Sequence, residues 1–249
     1  MKKAEAAGKP FYVNVWTDDV HSPFWPSYER IKKTNNKREL YLAVLEEMDK
    51  QFAPLFDFIR NDETLRSNTM ILVCSDNGPE PDAGRAGALK GFKTHLYEGG
   101  IRSSLIVWAP GLMSKSAIGT RNKDSVFSAM DLTPSLLKLT GVPAPSDANY
   151  DGEVLLDVLL GRSNESRKSP IYFSRPPDRK NYYGFKNLPD LAVRHDKWKL
   201  LCDYDGSRPE LYDLSLDPGE TKNLVDTQPD LAKNLVDKVV TWHKSISNN

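Results

Sequence analysis

The residues best suited to chemistry concentrate in one stretch, 70–111, which reads MILVCSDNGPEPDAGRAGALKGFKTHLYEGGIRSSLIVWAPG. Asp76 and Asn77 offer a carboxylate and an amide oxygen in a turn behind an apolar run. Hard oxygen donors of that kind suit calcium or magnesium, although Asp-Asn-Gly on spacing alone is more often an ordinary turn. Lys93 stands in a glycine-rich loop, where a flexible ammonium can meet an anionic group or simply be a solvated surface lysine. His21, ahead of Ser22 and Pro23, has the chemistry of a proton donor or ligand, yet a lone loop histidine is commonly neither. His95, His195 and His243 carry no stronger claim individually. Asp18 and Asp19 are able to hold a metal or share a proton, or to be solvated. Gly84, Gly87 and Gly91 lack the spacing of a dinucleotide fingerprint and there is no GxxxxGK[ST], which argues against a nucleotide.

The elements that would position these groups read as α/β. Met70–Cys74 and Leu105–Trp108 are short apolar runs bounded by turn residues, the pattern of strands buried on both faces of a parallel sheet. Ligands collect at the carboxyl ends of such strands, where Ser75 to Gly78 sit. Phe11–Trp16 reads as a further strand, unusual so near the start because its neighbours must come from elsewhere. Leu42, Leu45, Met48, Phe52, Leu55 and Ile59 recur at spacings of three and four, predicting an amphipathic helix of about twenty residues with a kink at Pro54. Tyr28–Glu39 reads as a surface loop, and Asn61–Thr69 as a polar connection. Asp131 and Pro134 open a second helix that stops at Gly141, and Asp151–Leu160 forms another, ended by Gly161.

Arg162–Ser169 has no apolar residue and is the best candidate boundary. It predicts a domain over 1–163 and a small subdomain over 164–249. The latter has strands at Ile171–Phe173, Leu191–Leu201 and Glu210–Leu214 and a helix over Pro229–Ser247. That is a small antiparallel sheet with a C-terminal helix, following a mixed sheet flanked by helices.

Among 249 residues, 34 basic side chains balance 34 acidic ones. There is no global basic field to recruit nucleic acid or an anionic membrane. No run approaches the roughly 18 apolar residues of a membrane span, and the apolar part of FYVNVWTDD is too short for a signal peptide. The chain reads as soluble, with its compartment open. Cys74 and Cys202, each in an apolar run, read as packed thiols and not as a disulfide pair.

Taken together, SDNG after an apolar strand, LKGFK, and YEGGIR before LIVWAPG resemble the sulfatase family of the alkaline-phosphatase-like fold. VNVWTDDVHSPFWP resembles the segment bearing the family's active-site histidine. DLTPSLLKLTGVPAP, DGEVLLDVLLG, AVRHDKWKLL and ELYDLSLDPGETKNL resemble its later elements, so the likeness covers nearly the whole chain. It implies hydrolysis of aryl or carbohydrate sulfate esters with calcium or magnesium on Asp76 and Asn77. Lys93 and His21 would be catalytic and sulfate-binding, and His95 joins them as a substrate-binding candidate by neighbourhood. Glu98 and Arg102 would shape the loop. The substrate would be a sulfated small molecule or glycan, with Ser22–Lys37 and Ser174–Pro189 as specificity loops and Tyr182, Tyr183 and Phe185 as a possible aromatic wall.

The chain also departs from that pattern. Sulfatases carry Cys-x-Pro-Ser-Arg or Ser-x-Pro-Ser-Arg, whose first residue becomes the formylglycine nucleophile. No such element occurs here, and neither cysteine is followed by proline two residues on. The family's early paired aspartates and its early lysine and histidine are absent as well. The resemblance is thus to the C-terminal half of a sulfatase. It implies a chain inactive by itself, with a missing N-terminal half as a partner. Two alternatives are a non-catalytic binder of a sulfated glycan or partner chain, and a related phosphodiesterase or phosphonate hydrolase.

Overall fold

The computed structural model of the chain describes residues 1–34, 36–176 and 185–247. Two units divide it, Met1–Leu55 with Asp82–Gly84, and Phe56–Pro81 with Arg85–Asn249. In the first, α1 (Lys2–Ala6) and α2 (Tyr28–Ile31) precede α3, whose full span is Lys37–Arg60 with Pro54 inside it. Phe24, Val44 and Ala83 form a small core, joined by Val20, Leu40 and Tyr41. The Arg38 guanidinium donates to the Ala83 carbonyl at 2.7 Å. Phe11–Trp16 is not a strand; its backbone is irregular, and Trp16 is 86% exposed. Apolar content alone does not make a strand, because each strand N–H and C=O needs a ladder partner, and among the described residues no segment pairs with this one.

In the second unit, the connection at 61–69 holds a helix, α4 (Glu63–Asn68), because Asp62 caps it by accepting from the Leu65 N–H at 2.8 Å. β1 (Ile71–Cys74) follows, then α5 (Glu98–Ile101) and β2 (Leu105–Trp108). β1 and β2 pair antiparallel, Cys74 opposite Leu105 and Ile71 opposite Trp108, which corrects the expectation of a parallel sheet. The pair is open to solvent on one face, with Val73 and Ile106 directly opposed and exposed. Cys74 is exposed as well, not packed. A short apolar run cannot by itself report whether both of its faces are covered.

Further along, Asp131 precedes α6 (Leu132–Thr140), which ends at Gly141 with φ +68°. α7 (Leu156–Leu159) is short. The polar segment 162–169 is not loose: Arg167 is buried, ion-paired with Asp131, and donates to the Asp151 carbonyl at 2.6 Å.

β3 (Ile171–Ser174), β4 (Leu191–His195), β5 (Trp198–Cys202) and β6 (Glu210–Asp213) form an antiparallel sheet in sequence order. The single run expected over Leu191–Leu201 is two strands, turning at Asp196, where φ is +53°. α8 (Pro229–Ser247) buries Ala232, Leu235 and Val239 against Leu191, Val193, Leu200, Cys202 and Leu211. Because side chains alternate along a strand, Ala192, Lys199, Leu201, Glu210 and Tyr212 face the other way. Leu96 and Tyr97 pack on that opposite face with Leu188, Ala192, Leu201 and Tyr212. This seats the segment just before α5 on the sheet. The fold is thus mixed α/β with antiparallel sheets and a C-terminal helix.

Candidate functional site

Three backbone segments meet through glycines. The Gly78 N–H donates to the Gly100 carbonyl at 2.8 Å, the Gly99 N–H to the Lys90 carbonyl at 2.7 Å, and the Lys93 N–H to the Pro79 carbonyl at 2.9 Å. A Cβ on Gly78 would lie 1.9 Å from the Gly99 carbonyl oxygen, one on Gly99 2.3 Å from that of Gly91, and one on Gly100 2.1 Å from that of His95. No side chain fits at those positions. The Asp76-Asn77 turn, the Lys93 loop and α5 are therefore one packed body.

Within it, Asp76 is exposed and Asn77 half-buried. The Asn77 amide nitrogen donates to the Gly78 carbonyl at 2.8 Å, fixing the side chain so that its oxygen is the group left to bind. The Ser103 hydroxyl donates to the Ser75 carbonyl at 2.8 Å and holds the turn from the far side. Asp76 and Asn77 have the hard-oxygen chemistry that calcium or magnesium takes, but calcium takes about six to eight oxygens. Among the described residues no group of three or more His, Cys, Asp or Glu is placed to hold a metal ion. The two residues do not fit a complete metal site by themselves.

The two lysines of LKGFK have separate surroundings. Lys90 lies 3.4 Å from a Glu210 carboxylate oxygen, donates to the Tyr212 hydroxyl at 3.2 Å, and sits 3.9 Å from the Tyr97 ring centroid. The Tyr97 and Tyr212 hydroxyls both donate to Glu210, at 2.9 and 2.6 Å. Burial, with the Glu210 carboxylate, pushes both phenols up, so they stay protonated donors. Lys90 is an anchor. The Lys93 ammonium lies 3.9 Å from Glu80, too far for a hydrogen bond.

Glu98 is buried between cations. Lys199 of β5 lies 3.0 Å away and Arg194 of β4 3.2 Å, with Arg102 at 3.5 Å. Lys199 also pairs with Glu220 at 2.9 Å, and a Glu220 oxygen accepts the Glu98 N–H at 2.7 Å. This network holds α5, and with it the glycine contacts, on the polar face of the four-stranded sheet. None of Lys90, Lys199, Arg194, Glu210 and Glu220 was singled out from the sequence. Lys199, inside the otherwise apolar run WKLLC, was the one signal available: a charge there must be paired.

His95 is 2% exposed and wedged among aromatic rings, 4.7 Å from Phe185 and 6.2 Å from Phe92, centroid to centroid. Among the described residues neither ring nitrogen has a hydrogen-bond partner. Burial first, then the Arg175 charge, lowers its affinity for a proton. Phe185 packs on His95; Tyr182 and Tyr183 lie outside the described residues.

His21 belongs to the first unit and is exposed. Its Nδ1 lies 2.8 Å from the Ser22 carbonyl, which only accepts, so Nδ1 carries the hydrogen and Nε2 is the nitrogen open to a ligand. Its own N–H donates to the Asp18 carbonyl at 3.1 Å. Beside it, Ser22, Pro23, Phe24, Trp25, Lys37 and Leu40 line a hollow of about 470 Å³.

Two family models match the chain, "Sulfatase" over residues 1–142 and "N-sulphoglucosamine sulphohydrolase, C-terminal" over 91–245. A sulfatase of Formosa agariphila is 27% identical over all of the chain and 48% of its own length. Human arylsulfatase A is 28% identical over 90% of the chain and 46% of its own. A solved structure from work on glycosaminoglycan metabolism by Bacteroides thetaiotaomicron superposes with TM-score 0.73 at 25% identity, over all of the chain and 53% of its partner. Ps i-CgsB, solved with k-i-k-neocarrahexaose, superposes with TM-score 0.74 at 24% identity, over 89% of the chain and 47% of its own, a likeness of fold. The chain spans about half the length of the curated relatives it matches.

Proposed function

The chain belongs to the sulfatase family, and from that premise we propose that it supplies the sulfate-gripping half of a site that hydrolyses a carbohydrate or aryl sulfate ester. The observation that carries this is the contrast between the two lysines: Lys90 is consumed by Glu210, Tyr97 and Tyr212, whereas Lys93, on the same loop, has among the described residues only a carboxylate 3.9 Å away. In ester cleavage, charge grows on the transferring sulfuryl oxygens and the leaving oxygen. An ammonium fixed in advance beside those oxygens stabilises that charge without reorganising. Lys93 fits that role because its backbone N–H is tied to Pro79 and its loop to three glycines. His21, with Nδ1 spent on Ser22, keeps Nε2 open, and as an imidazolium it would have the chemistry of a proton donor to a leaving oxygen.

Asp76 and Asn77 would contribute two oxygens to a calcium or magnesium ion whose remaining ligands come from outside this chain. Such an ion would supply further charge stabilisation. The nucleophile must also come from elsewhere, since no formylglycine element is present. An N-terminal sulfatase half is the partner this reading calls for.

The test is turnover of p-nitrophenyl sulfate and bis(p-nitrophenyl) phosphate by the purified 249-residue chain, alone and with an N-terminal half bearing a formylglycine. The chain alone is expected to be inactive and to bind calcium no tighter than about 1 mM, the weak end of protein calcium sites. With the added half, sulfate turnover should appear and vanish in Lys93→Ala. Robust turnover by the chain alone would overturn the reading, and a preference for the phosphate would favour a phosphodiesterase.

A further inference from the structure

The β1–β2 ladder has the composition of a core and the exposure of a surface. Its eight residues, Ile71 to Cys74 and Leu105 to Trp108, are all apolar. None of them is buried, and Val73 is 44% exposed and Ile106 60%. In the four-stranded sheet the comparable residues Leu191, Val193, Leu200 and Leu211 are fully shielded. Side chains alternate along a strand, so the register of Ile71 with Trp108 and of Val73 with Ile106 puts these four on one face. Both strands also have an open edge. Among the described residues each pairs only with the other, and no backbone bond beyond that ladder reaches either one. A two-stranded ladder this short is marginal by itself in water, and an apolar strand with a free edge is a template for another chain.

We propose that this ladder is the surface on which an N-terminal sulfatase half docks, a strand of that half pairing with a free edge and its apolar side chains covering Val73 and Ile106. The inference deepens the proposed function and rests on its reading that the nucleophile comes from such a half. Two observations favour this occupant over a second copy of the chain. The Bacteroides thetaiotaomicron structure superposes over all of this chain but over 53% of its own, so a relative of this fold carries nearly as much chain again. The open ladder also runs into the turn that does not complete a site by itself. Cys74 leads directly to Ser75 and Asp76, and the Ser103 hydroxyl, just ahead of β2, holds the Ser75 carbonyl at 2.8 Å. Val73 and Ile106 stand one residue from that end of the ladder, so a chain seated on them arrives beside Asp76 and Asn77. A second copy would bring only another such pair and no formylglycine element. Covering one Val or Ile side chain is worth about tenfold or more in an equilibrium constant, so these two weigh heavily on whether the halves hold together.

The experiment co-expresses the 249-residue chain with a tagged N-terminal half of the Formosa agariphila sulfatase and measures the chain retained on the tag. The wild-type chain should be retained in equimolar amount, and Val73→Lys and Ile106→Lys should each cut retention about tenfold or more. Both side chains are exposed, so neither substitution should move the urea midpoint of the chain alone. Leu216→Lys, at an apolar side chain 83% exposed outside the ladder, should leave retention unchanged. Amide hydrogen exchange is a second readout that needs no substitution: β1 and β2 should exchange well ahead of β4 and β5 in the chain alone and become protected in the complex. Retention that survives both ladder lysines overturns the surface, as does an equal loss in Leu216→Lys or exchange at β1 and β2 that the complex leaves unchanged. Self-association of the chain that Val73→Lys abolishes assigns the face to a second copy and overturns it too. If the halves assemble through Val73 and Ile106 but stay inactive on p-nitrophenyl sulfate, the Lys93 cradle has failed and the surface stands. If turnover appears while retention is indifferent to both substitutions, the surface alone has failed. No retention of the wild-type chain overturns both.

Discussion

The Glu98 carboxylate lies 3.0 Å from the Lys199 ammonium, both fully shielded from solvent, and this pair couples the EGG turn to the middle of the four-stranded sheet. Lys199 also faces Glu220 at 2.9 Å, so one ammonium serves two buried carboxylates. Lys199→Met leaves Glu98 with Arg194 and Arg102 but takes from Glu220 its ammonium, and should cost about 3–5 kcal/mol, the usual penalty for breaking a buried pair. Adding Glu98→Gln should recover part of that loss. Urea unfolding midpoints of the single and double variants measure it, and additive costs would show that the pair does not couple.

The glycines that lock the site make a second prediction. A Cβ at Gly78 meets the Gly99 carbonyl oxygen at 1.9 Å, and that oxygen belongs to backbone, which cannot swing away. Gly78→Ala should push the Asp76-Asn77 turn off α5, costing about 1–3 kcal/mol as overpacking does. Gly87→Ala is a contrasting probe: a Cβ there meets nothing within 4 Å, although φ is +66°, so its cost is backbone strain alone. Sulfate-ester binding should fall in Gly78→Ala and survive in Gly87→Ala, as read by calorimetry.

His95 gives a pH dependence with a definite sign. Its folded-state proton affinity is lowered by burial and then by Arg175. Below the unfolded value of about 6.5 the unfolded chain takes up a proton that the folded chain resists. Stability from His95 is therefore complete above that pH and is lost as pH falls toward the lower folded value. Glu220, whose burial raises its carboxyl, works in the opposite direction at lower pH. The difference between wild type and His95→Phe isolates the histidine: the unfolding free energy of the wild type should fall relative to that of His95→Phe as pH drops from 7 to 5. A constant difference over that range would sink the assignment.

Much of this architecture can be read from sequence periodicity, and its failures have a common cause. The last helix is found at Pro229–Ser247 as its apolar spacing predicts, because that pattern is local. The Phe11–Trp16 strand and the parallel pairing of β1 fail because pairing partners are supplied by the fold and not by the run itself. The Gly99 and Gly100 contacts explain why EGG packs on the LKGFK loop, yet no spacing rule reveals that Lys90 anchors to Glu210, 120 residues away. Buried charge pairs of that kind join distant segments, so a sequence shows each partner separately and never the pair.

The cysteines offer a direct check on burial. Cys74, at the end of β1, is exposed, whereas Cys202 on β5 is buried, its thiol pushed up to about 12 by burial and then by Asp203, Asp205 and Asp190. The thiolate is the reactive form. A chromogenic disulfide reagent at pH 8 should therefore label one thiol of the native protein, removed by Cys74→Ser, and the second only after denaturation. Two rapid equivalents in the native state would contradict the packing of β5 against α8.

The separation of the two loop lysines is the sharpest test of the site. Lys90→Ala deletes the contact with Glu210 at 3.4 Å and the ring contact with Tyr97 at 3.9 Å, so it should lower stability by about 1 kcal/mol. It should affect sulfate binding only through the loosened loop. Lys93→Ala removes an ammonium whose one partner among the described residues is Glu80 at 3.9 Å, so the unfolding midpoint should barely move while affinity for a sulfate ester drops about tenfold or more. Lys93→Arg keeps the charge but spreads it over a planar fork, and should restore only part of the binding. If instead Lys93→Ala unfolds the protein and Lys90→Ala abolishes binding, the roles are reversed, and the cradle is built around the other end of the loop.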